Sequence, residues 1–244
     1  MGHGLDILLL AGSAEARQIA QHLVAQGHRV RAWLSEPPRG TSPMAVPFDM
    51  QRFDDPAQVA ADMARFDAVI DASHGFDGTM SAAGFAAAQL RGLPFVTYAR
   101  PGWPIDDPLL RAVPDVAAAA RAVRPGVRVF CATGWTSLPA FTPFRGARLL
   151  LRQTSHHNRP APYDFVDLVF GDPPFTQKGE EVLFRGLQVD QLICRNLGGE
   201  ASRPKVDAAL ALGIDVILID RPALPQGAAQ VWRITDVFDW VAHL

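Results

Sequence analysis

Lysine is nearly missing from this chain: Lys178 and Lys205 stand among 23 basic residues, and the other 21 are arginines. Cysteine is as scarce, with Cys131 and Cys194 only. Two thiols build neither a disulfide framework nor, unaided, a zinc site. Long apolar runs are absent too. Ile7-Leu8-Leu9-Leu10-Ala11 is strand-sized, well short of the roughly 18 residues that cross a bilayer. It also lacks the basic flank and cleavage site of a secretory signal. No charge of one sign dominates: the formal net charge is −2, so no overall positive field draws the chain to nucleic acid or an anionic membrane. With 244 residues, 48% hydrophobic and 20% charged, the chain is too apolar for disorder and long enough for one large core or two small ones. A soluble, cytoplasmic globular protein is expected, with a monomer as the default. The arginine excess has two readings, genomic codon usage or a subset of bidentate clamps for carboxylate and phosphate.

What is present alternates. Residues 5–10 form a continuous apolar run, as expected of a strand covered on both faces. Residues 14–26 read as a helix, with Ile19, Ala20, Leu23 and Val24 in one stripe and Gly27 as its stop. A strand at 29–34 completes a strand–helix–strand unit. After a Pro-rich loop at 36–40 come a short helix near 57–64, a strand at 68–71, a long helix near 79–91 and a strand at 95–98. Arg124-Pro125-Gly126 is the best candidate boundary. Beyond it, strands are expected at 127–131, 148–152, 191–194 and 216–219, and helices at 136–141, 179–186 and 203–212. Such alternation predicts an α/β protein: two Rossmann-like lobes with mainly parallel sheets and a cleft between them, divided as 1–124 and 125–244.

The residues that could carry chemistry gather at strand ends. The first strand runs into Ala11-Gly12-Ser13-Ala14-Glu15-Ala16, where small residues let backbone approach a phosphate and a helix N-terminus adds its positive end. G-x-G-x-x-G is not spelled out, and any tight strand–helix turn uses small residues, so a nucleotide site and a plain turn both stay open. After the second strand, Glu36 suits a ribose hydroxyl, whereas Ser35 and Arg39 suit a 2′-phosphate. Asp71-Ala72-Ser73-His74-Gly75-Phe76 and the following Met80-Ser81 lie where open α/β sheets bind ligands. Phe130-Cys131-Ala132-Thr133-Gly134-Trp135 repeats the strand-then-small-turn pattern, with Cys131 read as a small buried hydrophobe. Arg195-Asn196-Leu197-Gly198-Gly199 is a third such corner. His156-His157 reads as a solvated basic loop rather than a metal site, because adjacent histidines point differently.

Taken in order, these corners resemble the precorrin-6A reductase family of corrin-ring biosynthesis, including its cobalt-precorrin-6A form. The opening strand and turn through Ala16 are similar to that family's strand, Gly-Gly-Thr turn and Glu-Ala helix start. Asp71 to Phe76 with Met80-Ser81-Ala82 is similar to its Asp-Ala-Thr-His-Pro-Phe and Met-Ser block. Arg100-Pro101-Gly102-Trp103, Thr133-Gly134, Pro174-Phe175-Thr176 and Arg195-Asn196-Leu197-Gly198-Gly199 resemble further family segments, as do Lys205-Val206-Asp207-Ala208-Ala209, Leu212-Gly213 and Asp220-Arg221-Pro222. The likeness spans nearly the whole chain. It departs at the first turn (Ala-Gly-Ser), after the second strand, at Gln51-Arg52 where the family has a glycine pair, at Gly75 for proline, and at Trp135 for a basic residue.

The resemblance implies NADPH-dependent reduction of one ring carbon–carbon double bond in a tetrapyrrole. It implies cofactor contacts from Gly12, Ser13, Ala14, Glu15, Ser35, Arg39, Ser73, Thr133, Gly134, Arg195, Asn196, Gly198 and Gly199. Substrate contacts are expected from His74, Phe76, Met80, Ser81, Arg100 and Trp103. Arginine forks match the acetate and propionate rim of such a ring, with Arg100, Arg195 and Arg152 or Arg159 as candidates and a locally basic cleft as the expectation. His74 is the candidate proton donor, with solvent or the substrate's own carboxyls as alternatives. No metal and no nucleic-acid or membrane partner is expected, and contact with neighbouring pathway enzymes would be transient. Two other readings are a reductase of another large anionic substrate and a non-catalytic NADP-binding sensor.

Overall fold

The computed structural model describes residues 4–37 and 44–244. Two six-stranded sheets carry the fold, and every strand pair in both is parallel. The first sheet holds β1 (Asp6–Ala11), β2 (Arg29–Leu34), β3 (Phe48–Met50), β4 (Ala68–Ala72), β5 (Phe95–Tyr98) and β12 (Ala229–Val231), in the order β12-β5-β4-β1-β2-β3. Its helices are α1 (Ala14–Ala25), α2 (Pro56–Asp62), α3 (Gly78–Arg91) and α7 (Ile234–Ala242). The second sheet holds β6 (Leu110–Val113), β7 (Arg128–Ala132), β8 (Arg148–Gln153), β9 (Val166–Phe170), β10 (Gln191–Arg195) and β11 (Asp215–Ile219), in the order β6-β11-β10-β7-β8-β9. It is served by α4 (Val116–Arg121), α5 (Gln177–Gly186) and α6 (Pro204–Ala211).

Local sequence explains the elements. β1 is buried along nearly its whole length, Ile7 to Leu10 fully, because a parallel sheet is covered on both faces. α1 starts where the Ser13 hydroxyl accepts the Ala16 N–H at 3.2 Å, and it buries Ala16, Ile19, Ala20 and Leu23. α3 begins at Asp77, whose carboxylate accepts the Met80 N–H, and ends at Gly92 in the left-handed conformation. The helix expected at 136–141 is a 3-10 helix, Trp135–Phe141, with Pro139 inside it. Proline removes an amide donor and clashes with the preceding turn, which disfavours a continuing α-helix.

The compact units differ from the expected division at 124/125. One unit comprises the chain up to Pro101 together with Pro222–Leu244; the other is Gly102–Arg221. Strand pairing is the reason. β6 precedes the expected boundary yet pairs with β11, and β12 lies near the C-terminus yet pairs with β5. Each six-stranded sheet is therefore completed by a strand distant in sequence from its immediate neighbours.

In each sheet the strand order reverses direction once at its centre, between β1 and β4 in the first and between β7 and β10 in the second. These are the two topological switch points, where doubly wound sheets open a crevice at the strand carboxyl ends. Close packing frames the first of them: a Cβ built on Gly84 of α3 would lie 2.4 Å from Leu10 Cδ1 on β1. Gly84→Val is expected to destabilise the protein by about 1–3 kcal/mol through overpacking. Urea or thermal unfolding measures this, and a variant as stable as the parent would contradict the described α3–β1 contact.

Candidate functional site

At the first switch point two strand ends are tied together. The backbone N–H of Ser13 donates to Ala72 O at 3.1 Å, and its hydroxyl donates to the same oxygen at 2.8 Å while capping α1. Gly12 lies so close to the β4 corner that an added Cβ would meet the His74 backbone N at 2.5 Å. No side chain fits there, so the need for glycine is one of close approach. The N-terminal peptides of α1, at Ala14 and Glu15, bring the positive end of the helix to this edge.

Glu15 and Arg100 form an ion pair, both largely shielded from solvent. Arg100 is thus engaged within its own unit, and the pairing offsets a negative charge beside a helix start. At the end of β2, the Ser35 hydroxyl donates to Asp77 Oδ2 at 2.5 Å. Arg39 lies outside the described residues.

His74 is partly exposed at the end of β4. Its Nδ1 accepts the Phe76 N–H at 3.2 Å, which makes Nε2 the proton-bearing nitrogen of the neutral ring. Phe76 stands beside it, ring centroids 6.3 Å apart. Behind them lies a buried polar group. Asp71 Oδ1 accepts the Ser73 N–H at 3.0 Å, and the Ser73 and Ser81 hydroxyls are 3.1 Å apart. Burial pushes the Asp71 carboxyl upward from its ordinary range, against the hydrogen bonds from Ser81 and Ser73. Met80, expected at the substrate, is instead 1% exposed and packed in the core with Leu8, Leu10 and Val69. It follows the helix period onto the buried face of α3. Ser81 is likewise buried, and its hydroxyl faces Ser73.

The second switch point is built differently. Gly134 follows β7 at φ 88°, a left-handed backbone conformation with open space around it, so here conformation calls for glycine. Thr133 is buried, and its hydroxyl belongs to a chain: Cys131 Sγ lies 3.0 Å from Thr133 Oγ1, which lies 2.5 Å from Ser137 Oγ, and that hydroxyl donates to Gly134 O at 2.7 Å. Ser137 spends its proton on the carbonyl, so Thr133 donates to Ser137 and the Cys131 thiol donates to Thr133. Burial raises the thiols of both Cys131 and Cys194 to about 11, so neither is a ready nucleophile.

After β10, Gly198 and Gly199 both adopt positive φ, at 64° and 70°. Asn196 accepts the Trp103 N–H at 2.8 Å and donates to Trp103 O at 3.1 Å. The Trp103 indole donates to Gly199 O at 2.9 Å. Asn196 and Trp103, read as cofactor and macrocycle contacts, are therefore buried pins of the Gly-Gly corner. Arg221 completes the corner by donating to Asn196 O at 3.0 Å and to Leu197 O at 2.5 Å. Arg195, the last residue of β10, is partly exposed at the same edge.

Arg152 also departs from its expected role. Its guanidinium reaches both Glu180 oxygens, at 2.9 and 2.8 Å, and stacks on Phe130 and Phe175 at 4.9 and 4.2 Å. Lys205 is half-buried nearby, its pKa lowered by desolvation, and donates to Ser202 O at 2.5 Å. His157 stands edge-on to Trp135, with ring centroids 5.1 Å apart, and His156 stacks on Phe170. Periodicity could not reveal the Arg152–Glu180 pair or the Asn196–Trp103 clasp, whose partners lie 28 and 93 residues apart. Arg221 carried a signal in Asp220-Arg221-Pro222 but no role.

The fold defines a doubly wound α/β protein of two parallel sheets, each with a switch point at its centre. The comparisons narrow this class. The family model described as precorrin-6x reductase CbiJ/CobK matches residues 6–242. The precorrin-6A reductase of Mycobacterium tuberculosis (strain CDC 1551 / Oshkosh) is 34% identical over 241 residues, covering 98% of each chain. The cobalt-precorrin-6A reductase of Priestia megaterium is 27% identical over 259 residues, covering 97% of this chain and 96% of its own. A solved structure described as CobK precorrin-6A reductase superposes with a TM-score of 0.86 at 30% identity, over 98% of this chain and 96% of the other. The chain belongs to the precorrin-6x reductase family and is an oxidoreductase.

Two measurements test this site description. Glu180→Ala is expected to cost about 3–5 kcal/mol in denaturant unfolding, because it leaves Arg152 charged and unpaired in an apolar setting. Both cysteines are expected to resist a disulfide thiol reagent in the folded protein and to react fully once it is unfolded; rapid labelling of the native protein would refute the burial described.

Proposed function

We propose that this chain catalyses the NADPH-dependent reduction of one ring carbon–carbon double bond of precorrin-6A or its cobalt form, in cobalamin biosynthesis. The observation that carries the reading is the contrast between the two switch points. The first leads through a glycine turn into the 12-residue α1, whose amide end suits a pyrophosphate. The second leads into a seven-residue 3-10 helix interrupted by proline, which has little aligned dipole to offer a phosphate. The contrast favours the first strand edge as the dinucleotide site.

In this reading the peptides of Gly12, Ser13, Ala14 and Glu15 hold the pyrophosphate, with Ser35 and Arg39 toward the 2′-phosphate and Ser73 at the β4 corner. Bound NADPH supplies the hydride. The tight Gly12–His74 contact fits that cofactor, because the flat backbone leaves the helix start unobstructed. His74 is the proposed group for delivering a proton to the carbon next to the one that is reduced, acting from the imidazolium form and returning to the neutral ring whose Nδ1 accepts the Phe76 N–H. Phe76 shields that side of the site from water. In the second unit Thr133, Gly134, Gly198 and Gly199 shape the strand edge, and Arg195 and Arg159 suit substrate carboxylates. A cytoplasmic location accompanies this reading, supported by two buried cysteines that are free thiols.

The decisive assay follows NADPH absorbance with purified protein and precorrin-6A, supplied with and without cobalt, and repeats it with NADH. Oxidation that requires one tetrapyrrole form and prefers NADPH is expected; oxidation independent of either substrate overturns the proposal. His74→Ala is expected to lower kcat by about 10²–10⁴-fold with little change in KM for NADPH. Unchanged turnover would remove His74 from the proton-donor role.

A further inference from the structure

Ser35 is the first residue past β2, exposed at the carboxyl edge of the first sheet. In doubly wound dinucleotide sites that place meets the adenosine ribose, and an acidic side chain about twenty positions after the glycine turn accepts its 2′-hydroxyl. The residues that follow β2 leave the ribose and 2′-phosphate readings open, but the fold adds a carboxylate from elsewhere in the chain. Asp77, 42 residues on, caps α3 and accepts the Ser35 hydroxyl on Oδ2 at 2.5 Å. This carboxylate is held from several sides. Its Oδ1 accepts the Met80 N–H at 3.1 Å, the Asp77 N–H donates to His74 O at 2.7 Å, and the Asp77 carbonyl accepts the Ser81 N–H at 3.2 Å. The next residue, Gly78, is hemmed in as well: an added Cβ would lie 3.0 Å from Pro222 Cβ. Asp77 cannot turn away from β2 without uncapping α3. It is only half-buried, so a ligand at the β2 end reaches it.

We propose that Asp77 is a specificity-determining residue of the dinucleotide site: its carboxylate takes the place of the acidic residue at the β2 end and weakens binding of a cofactor that carries a 2′-phosphate. The inference rests on the reading of this edge as the dinucleotide site and adds to it a residue from a different strand end. Ser35 has one hydroxyl proton, and a carboxylate only accepts, so that proton is directed at Asp77. A ribose 2′-hydroxyl brings its own proton and donates to the carboxylate with the Ser35 bond intact. A 2′-phosphate, ionised at neutral pH, is an acceptor beside an acceptor. To take the Ser35 proton it must break the bond to Asp77, and the two anions then face each other across one hydroxyl. Contacts that draw NADPH to this edge therefore act against a built-in opposing charge. Selectivity of this kind comes from repulsion of one ligand rather than from added attraction to the other.

The test measures Kd in the full-length protein for NADPH and NADH, and for adenosine 2′,5′-bisphosphate and AMP, which isolate the ribose phosphate from the nicotinamide. Asp77→Asn keeps the α3 cap, since asparagine caps as well as aspartate, and its amide N–H₂ donates to Ser35 Oγ, which frees the Ser35 proton for a phosphate. D77N is therefore expected to tighten NADPH and the bisphosphate by at least about tenfold, while Kd for NADH and AMP moves by less than about threefold. Asp77→Ser, also cap-forming and uncharged, is expected to shift the ratio in the same direction and answers the question if D77N fails to fold. Ser35→Ala, which leaves the carboxylate charged, is expected to weaken NADPH rather than strengthen it. Folded D77N and D77S with the parent's ratio of NADPH to NADH affinity overturn the role of Asp77 and leave the dinucleotide reading standing. A gain for NADPH in S35A equal to that in D77N also overturns it, because removing the charge would then not be the cause. Parent protein that binds none of the four ligands overturns the dinucleotide reading and the role of Asp77 with it.

Discussion

The contact between Gly12 and the backbone of His74 is the constraint on which the first site depends. Two strand ends that are neighbours in the sheet, but about sixty residues apart in the chain, meet with no room for a side chain between them. Ser13 reinforces the contact with both its amide and its hydroxyl on Ala72 O, and the same hydroxyl starts α1. One serine therefore fixes the spacing of the strands and the origin of the helix. Because the hydroxyl is spent on these tasks, the phosphate contacts proposed for this turn fall to the peptides of the helix start.

The second unit repeats the topology with different chemistry. Its first corner is stiffened by a directional chain from Cys131 through Thr133 and Ser137 to Gly134 O, and its second by Asn196, Trp103 and Arg221 clasping the Gly-Gly turn. Several arginines are held by acceptors within the fold. Arg152 is shared between Glu180 and two phenylalanines, Arg221 between two carbonyls, and Arg100 pairs with Glu15. A guanidinium with five donors in a rigid fork satisfies several distant acceptors at once, so arginine serves to pin irregular corners as well as to receive carboxylates.

Central elements were legible and peripheral ones were not, for a reason visible in the sheet orders. β1, β2, β4, β5, β7, β8, β10 and β11 all carry short apolar runs, because parallel strands with two neighbours are buried on both faces. The four strands that escaped the reading, β3, β6, β9 and β12, are the four sheet edges. Two of them are three residues long, and β6 is buried only at its ends. Half-solvated edges select for no continuous run. α7 carries a helical stripe at Val237 and Val241, yet it follows a short edge strand, and without that strand nothing marked the segment as part of the first unit.

The sequence by itself determined the alternation of strands and helices, the glycine-bearing corners and their order, because burial periodicity and small-residue turns are local properties of the chain. Which corners share a strand edge, where the units divide and which polar side chains are already spent were decided only in the tertiary structure. Met80 and Trp103 became core and clasp, and Asp71 and Thr97 became neighbours, through contacts between residues tens of positions apart. No local pattern encodes such a pairing, because it arises from parallel strands brought together by the helices that connect them.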